Sequence, residues 1–122
     1  MKQILVVDDD RDLAKLLALG LRLHGYAVQV AANGREALTI LEERSFDAIL
    51  LDWNMPVMDG ERFLEQHQLR TASGSLTPIV VITARPDAEQ KARQLGAVAV
   101  VGKPFNFNEL LRVLVPLLGG PQ

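Results

Sequence analysis

The sequence predicts a doubly wound α/β domain, with a five-stranded parallel sheet and helices on both faces. Short apolar runs alternate with longer amphipathic stretches, there are five of these runs, and the central ones are apolar throughout. Continuously apolar strands are expected where both faces of a sheet are buried. Alternation of strand and helix along the chain indicates that neighbouring strands are parallel. A length of 122 residues is typical of one domain.

Three strands and two helices are expected in the first half of the chain. The predicted strands cover residues 4–7, 27–31 and 46–51. Leucines at roughly helical spacing predict a helix from Leu13 to Leu23, which Gly25 ends. The second helix follows the break at Asn33-Gly34 and carries its apolar face on residues 37–41.

The second half contains the remaining elements. They are a helix opening at Asp59-Gly60, a loop over Thr71–Thr77, a strand over Pro78–Thr83, a helix over Asp87–Leu95, a strand over Val98–Val101 and a helix over Asn106–Leu114. The residue that follows a helix often adopts the left-handed conformation, and Gly96 is suited to that position. Pro116 is expected to end the last helix. Residues 1–118 are expected to form the domain, and residues 119–122 a tail or linker stub.

Composition excludes several classes of protein. Fifteen acidic and thirteen basic residues give a net charge of −2, so the chain lacks the positive surface of a nucleic-acid binder. The absence of cysteine excludes disulfides, thiolate catalysis and cysteine-bound metals. The first apolar run, which aspartates end, is too short for a signal peptide, and nowhere do eighteen apolar residues run together. We therefore expect a cytoplasmic location without a membrane partner.

Polar residues come directly after four of the five predicted strands. They are Asp8-Asp9-Asp10, Asp52, Thr83 and Gly102-Lys103-Pro104. Ligands of an open parallel sheet bind beyond the carboxyl ends of its strands, so these residues form the candidate site. Converging carboxylates repel one another unless a cation neutralises them, and oxygen ligands favour a hard ion such as Mg²⁺. A metal, a lysine, a hydroxyl and a nucleophilic aspartate together suit phosphoryl transfer.

Each of these residues also has a purely structural interpretation. Asp8-Asp9-Asp10 alone is typical of a helix N-cap, a role that Asp10 is expected to fill. Thr83 alone is an ordinary β-branched strand residue, and Lys103 alone is a solvated charge. Trp53 is expected to be partly exposed beside the site.

Taken together, these motifs resemble the receiver domain of two-component response regulators. The matching segments are ILVVDDD, AANGREAL, AILLDWNMPVMDG, PIVVITA, LGA and KPF, within residues 2–118. The spacing adds to the match, because 43 residues separate Asp9 from Asp52. Thr83 follows 31 residues later, and Lys103 another 20. The resemblance implies the flavodoxin-like strand order 2-1-3-4-5, with five helices on the two faces.

The resemblance implies a role for each acidic residue. Asp52 would be the phosphoacceptor and also a metal ligand. Asp9 would bind Mg²⁺ directly, and Asp8 directly or through a water. Asn54 would contribute its backbone carbonyl to the same ion, for which Mn²⁺ is an alternative.

Two further residues would act on the phosphoryl group. Lys103 would pair with Asp52 in the resting state and with a phosphoryl oxygen afterwards, and the Lys103-Pro104 bond is expected to be cis. Thr83 would bind the phosphoryl group through its hydroxyl. The small Ala84 beside it would allow the close approach that this contact needs.

The implied function is a signalling switch without a small-molecule substrate of its own, and therefore not an enzyme in the usual sense. A histidine kinase or a phosphotransfer protein would supply the phosphoryl group. The surface of helix 4, strand 5 and helix 5 would then change and regulate a downstream output domain or protein. That surface is also a candidate for homodimer formation.

One position departs from the family pattern. Three residues before the lysine, receiver domains usually have an aromatic residue, and this chain has Val100. Valine has no ring to relocate, so the signal is expected to travel through the loop after strand 4, through helix 4 or through dimerisation. Arg85 and Asn54 lie at two positions that the resemblance links to the lifetime of the acyl phosphate.

Three other functions are weighed against this one. A haloacid-dehalogenase-type phosphatase would carry a second aspartate two residues after its nucleophile, where this chain has Asn54. A flavodoxin-like cofactor binder would carry a Ser-, Thr- or Gly-rich loop after strand 1, where three aspartates repel phosphate. A degenerate receiver that only binds proteins would not need Thr83 and Lys103, although Val100 is consistent with an unusual output.

Overall fold

The computed structural model describes residues 1–70 and 77–119, in which five strands and five helices alternate. The strands are β1 (Gln3–Val7), β2 (Ala27–Ala31), β3 (Ala48–Asp52), β4 (Ile79–Thr83) and β5 (Ala99–Gly102). The helices are α1 (Arg11–Leu23), α2 (Gly34–Glu43), α3 (Gly60–Arg70), α4 (Ala88–Gln94) and α5 (Phe107–Leu117). None of the helices in this described part of the chain combines the length and the apolar character that crossing a membrane requires.

All five strands are parallel, and they lie in the order β2-β1-β3-β4-β5. Both the predicted doubly wound fold and the implied strand order are therefore confirmed. In register, Val7 lies opposite Leu51, and Thr83 lies opposite Gly102. The carboxyl ends of these strands consequently meet at one edge of the sheet.

Each face of the sheet has its own apolar layer, because successive strand side chains point to opposite faces. One layer joins Leu5 and Leu51 to buried residues of α2, α3 and α4, such as Phe63. The other joins Ile4 to buried residues of α1 and α5, such as Leu110. Burial on both faces explains why β1, β3 and β4 are apolar along most of their length.

The helix starts follow from local hydrogen bonds. Asp10 caps α1, because its Oδ1 accepts from the N–H groups of Asp12 and Leu13 at 3.1 Å. Asn33 and Asn106 cap α2 and α5 in the same way. The predicted capping role of Asp10 is confirmed, as is the left-handed conformation of Gly96 after α4, with φ of 107°.

A few element boundaries differ from the predictions. β3 begins at Ala48 and not at residue 46, and α5 continues through Pro116 to Leu117. A proline in the last helical turn removes only one backbone hydrogen bond, and the N–H of Leu118 still donates to the Leu114 carbonyl at 3.1 Å. Apart from Thr77 and Gly119, the predicted loop over 71–77 and the tail over 119–122 lie outside the described residues.

The loop between β3 and α3 contains a strained residue. Val57 has φ of 71°, and the N–H of Met58 donates to the Pro56 carbonyl at 2.8 Å, which closes a γ-turn around it. A side chain with a Cβ costs about 1–2 kcal/mol in left-handed conformations. The Val57 side chain is 66% exposed, so little packing offsets this cost.

We predict that Val57→Gly raises the free energy of unfolding by about 1 kcal/mol, because glycine adopts positive φ without a Cβ clash. Urea denaturation of the metal-free protein measures the change. Val57→Ala is the matched control, since alanine keeps the Cβ and should gain little. An equal gain from both variants would show that the strain lies elsewhere.

Candidate functional site

The predicted site residues converge at the carboxyl edge of the sheet. Asp8, Asp52 and Thr83 are the buried polar side chains there, each at most 5% exposed, and Asp9 is exposed. Carboxylate oxygens of Asp8, Asp9 and Asp52 all lie within 4.8 Å of one another. Asp8 and Asp9, which are far from Asp52 in sequence, thus form one pocket with it, termed the acidic pocket.

Asp8 is held at the end of β1 by its own backbone turn. Its Oδ1 accepts from the N–H of Asp10 at 2.9 Å, which aims the carboxylate over the sheet edge. Burial, together with the charges of Asp52 and Asp9, raises the pKa of Asp8 to about 6, although the Asp10 N–H and the charge of Lys103 oppose the shift. The anionic form of Asp8 is therefore disfavoured unless a cation is close.

Asp52, the last residue of β3, is paired with Lys103. The lysine Nζ lies 3.3 Å from Asp52 Oδ1, as the resemblance implied for the resting state. Burial raises the pKa of Asp52, and the lysine charge and the Asn54 N–H oppose that shift. The backbone of Lys103 is anchored, because its N–H donates to the Thr83 carbonyl at 2.8 Å. The bond between Lys103 and Pro104 is cis, as expected.

Thr83 ends β4 with its hydroxyl at the same edge. Its Oγ1 accepts from the N–H of Arg85 at 3.0 Å, which leaves the hydroxyl proton able to donate to a ligand. Ala84 is exposed beside it. The Arg85 side chain points to Asp87, whose Oδ2 lies 2.8 Å from Arg85 Nη2.

Trp53 is buried, which makes the prediction of partial exposure wrong. Only 5% of this residue is exposed, and it belongs to the layer under α2, α3 and α4. Gly60 explains the burial, because a Cβ at this position would lie 2.8 Å from the Cα and 3.0 Å from the Cε3 of Trp53. Asn54, in contrast, is exposed, and Val100 is half-buried against the same layer.

Sequence reasoning missed an apolar groove next to the acidic pocket. The groove has a volume of about 660 Å³ and is lined by Leu16, Phe107, Ala84 and Lys103, among others. The spacing of the leucines predicts helix α1 but does not show which of them are exposed, and Leu16 is 67% exposed. Gly20 also lines the groove. Any larger residue at this position would collide with Phe107, because a Cβ would lie 2.7 Å from the Phe107 ring.

The acidic pocket fits a hard divalent cation. Its donors are carboxylate oxygens from three aspartates, without histidine or cysteine, which is the ligand set that Mg²⁺ prefers. Two of the three carboxylates are buried, and Lys103 provides one compensating positive charge. A second cation would relieve the remaining repulsion.

Comparison with known proteins identifies the family. The response regulator receiver domain family matches residues 4–115. The chain is 40% identical over 118 residues to the response regulator MprA of Mycolicibacterium vanbaalenii, which covers 95% of this chain and 50% of that protein. The chemotaxis response regulator CheY4 of Vibrio cholerae has a similar structure, with a TM-score of 0.88, 36% identity and 97% and 99% coverage of the two chains. For the response regulator TrrA of Thermotoga maritima in complex with Mg²⁺-BeF, the TM-score is 0.85, the identity 32% and the coverage 97% and 100%.

The fold and the site define an α/β domain with three clustered carboxylates at its sheet edge, one of them paired with a lysine. The chain belongs to the response regulator receiver domain family. Receiver domains are signalling switches that bind Mg²⁺ at an acidic pocket, and response regulators act with histidine kinases and output domains. The chain spans about half the length of the curated relatives it matches.

We predict that Asp8→Asn stabilises the metal-free protein at neutral pH. The folded-state pKa of about 6 exceeds the ordinary 3.8, so the folded state binds the proton more tightly and loses stability as pH rises through that interval. Removing the charge should raise the free energy of unfolding by about 2 kcal/mol at pH 7.5 and by little below pH 4.

Urea denaturation in the presence of a chelator, at several pH values, measures this effect. Asp9→Asn is the control, because its exposed carboxylate keeps its hydration and the gain should be much smaller. A loss of stability in Asp8→Asn at pH 7.5 would contradict the assigned cost of burial.

Proposed function

We propose that this domain accepts a phosphoryl group on Asp52 and thereby switches the state of its surface. The observation that supports this most directly is the buried Asp52 carboxylate, with Lys103 Nζ at 3.3 Å and two further aspartates in the same pocket. Burial removes competing water from the carboxylate. The charge of Lys103 favours the anionic form that a nucleophile requires and so opposes the effect of burial on the pKa of Asp52.

The proposed reaction transfers phosphorus from nitrogen to oxygen. A carboxylate oxygen of Asp52 attacks the phosphorus atom of a phosphohistidine on a histidine kinase or a phosphotransfer protein. The new O–P bond gives an acyl phosphate, and the P–N bond breaks with its electron pair moving to the imidazole nitrogen. Water later attacks the phosphorus atom, the O–P bond to Asp52 breaks, and inorganic phosphate leaves with the carboxylate restored.

Asp8, Asp9 and Asp52 would hold Mg²⁺ together with the backbone carbonyl of Asn54, and Mn²⁺ would fit the same oxygen ligands. When bound, the ion supplies positive charge next to the phosphoryl oxygens. Asp8 has to be anionic for this role. Its raised pKa indicates that cation binding and deprotonation of Asp8 favour each other.

Lys103 and Thr83 would stabilise the phosphorylated state. Lys103 already lies at the carboxylate and can move its ammonium group to a phosphoryl oxygen. Thr83 can donate its hydroxyl proton to another phosphoryl oxygen. Moving the Thr83 hydroxyl inward breaks the hydrogen bond from the Arg85 N–H, so the loop between β4 and α4 has to rearrange with it.

That loop is the route by which we propose that the signal leaves the site. Val100 lies on β5 opposite Val81 and packs against the layer under α4, but it has no ring to reorient. A rearranged loop acts on α4 directly, since Arg85 is paired with Asp87 immediately before that helix. The surface of α4, β5 and α5 would then contact an output domain, an output protein or a second copy of the chain. Residues 1–118 would form the receiver domain, and residues 119–122 a tail or linker stub.

Replacing the phosphoacceptor gives the most direct test. We predict that Asp52→Asn abolishes covalent labelling by acetyl phosphate in the presence of Mg²⁺, because an amide is not nucleophilic enough to attack phosphorus. Intact-protein mass spectrometry, through the mass added by one phosphoryl group, measures the labelling. The control is Asp47→Asn, an exposed aspartate before β3 whose variant should still be labelled. Undiminished labelling of Asp52→Asn would refute the assignment.

We further propose that the groove between α1 and α5 receives the protein that donates the phosphoryl group. The groove shares Lys103 and Ala84 with the surroundings of the acidic pocket, so a partner bound there can place a histidine at Asp52. Leu16 at the groove is exposed, which gives this part of α1 an apolar surface.

We predict that Leu16→Asp lowers phosphotransfer from an autophosphorylated histidine kinase about ten-fold, because a charge in an apolar contact is costly to bury. Labelling by acetyl phosphate should remain unchanged, since a small donor does not need the groove. Leu19→Asp is the matched control, because Leu19 is exposed on α1 but does not line the groove. Equal losses in the two variants would contradict a specific role for the groove.

A further inference from the structure

A salt bridge before α4 joins Arg85, two residues after Thr83, to Asp87. Arg85 Nη2 lies 2.8 Å from Asp87 Oδ2, and Arg85 Nε lies 3.4 Å from Oδ1, so both carboxylate oxygens contact the guanidinium. Hydrogen bonding to Asp87 raises the pKa of Arg85, and the same contact lowers the pKa of Asp87. Asp87 precedes α4 without a side-chain capping bond, so its contact with Arg85 is not a by-product of capping.

Arg85 is close to the acidic pocket in space. It lines a cavity of about 210 Å³ together with Thr83 and Lys103, and Lys103 contacts Asp52. The backbone of Arg85 is fixed there, because its N–H donates to Thr83 Oγ1 at 3.0 Å. The side chain is 54% exposed, and a long, exposed side chain reorients with little steric hindrance.

The acidic pocket attracts such a cation. It contains three carboxylates with oxygen atoms within 4.8 Å of one another. Lys103 forms a salt bridge with one of them, that of Asp52. A guanidinium presents several N–H donors in a planar fork that matches carboxylate oxygens. An arginine that entered the pocket would occupy the same oxygens as a divalent ion.

We propose that Asp87 is a positioning residue for the metal site, which keeps the Arg85 guanidinium outside the acidic pocket and so prevents it from competing with Mg²⁺. The inference rests on the proposed Mg²⁺ site. It adds that a residue outside the metal ligands sets the affinity of that site. Since the salt bridge is exposed, its loss should change the affinity about three-fold and not by orders of magnitude.

The test is a double-mutant cycle on Mg²⁺ binding with Asp87→Asn, Arg85→Gln and the double variant. These substitutions remove charge and keep nearly the same size. Trp53, the single tryptophan of the chain, lies next to Asp52, so its fluorescence reports titration with MgCl₂ at constant ionic strength. Calorimetry provides an independent dissociation constant, and circular dichroism checks that each variant is folded.

We expect Asp87→Asn to weaken Mg²⁺ binding about three-fold in the presence of Arg85 and to have no effect in the Arg85→Gln background. Asp87→Glu, which keeps the charge, should bind Mg²⁺ like the original chain. An equal weakening in both backgrounds would overturn the proposal, because Asp87 would then act only through its own charge. Unchanged affinity in Asp87→Asn would overturn it as well. Failure of the original chain to bind Mg²⁺ would instead refute the proposed metal site itself, and the inference with it.

Discussion

The burial of two carboxylates at the edge of an apolar sheet is the constraint on which the rest of this structure depends. Asp8 and Asp52 lie at the ends of strands whose other residues are almost completely buried. Their carboxylates are therefore largely shielded from water. Desolvated carboxylates that face each other disfavour their anionic forms, as the raised pKa of Asp8 shows. The domain retains them only because Lys103 and backbone N–H groups supply part of the missing positive charge.

Several features of the surrounding loops follow from this constraint. Lys103 has to reach Asp52 from the far side of β4, and the hydrogen bond from its N–H to the Thr83 carbonyl anchors it there. The loop after β3 folds back tightly, since the N–H of Gly60 donates to the Trp53 carbonyl at 2.9 Å. The strain at Val57 lies in the same loop. Strained backbone residues cluster near functional sites, and Val57 lies in the loop that directly follows Asp52.

Much of this could be predicted from the sequence, because strands and caps depend on neighbouring residues. The apolar runs and the capping role of Asp10 are signals of that kind, whereas the strand order came from the resemblance to a family. Trp53 was wrongly predicted because its burial depends on Gly60, and nothing within β3 indicates that contact. The exposure of Leu16 was missed for a related reason, since the spacing of leucines does not show which of them faces the sheet.

The position of Val100 can now be interpreted through the contacts of its neighbours. In a domain that transmits its signal by relocating a ring, the ring at this position has to exchange between two environments. Here Thr83, Arg85 and Asp87 form a continuous chain of contacts from the acidic pocket to the start of α4. In the proposed mechanism, Thr83 gives up its hydrogen bond from the Arg85 N–H, and the rearranged loop would then act on the helix without a large side chain on β5. A partner that binds α4 should in turn change the affinity of the acidic pocket, because coupling between two sites is reciprocal.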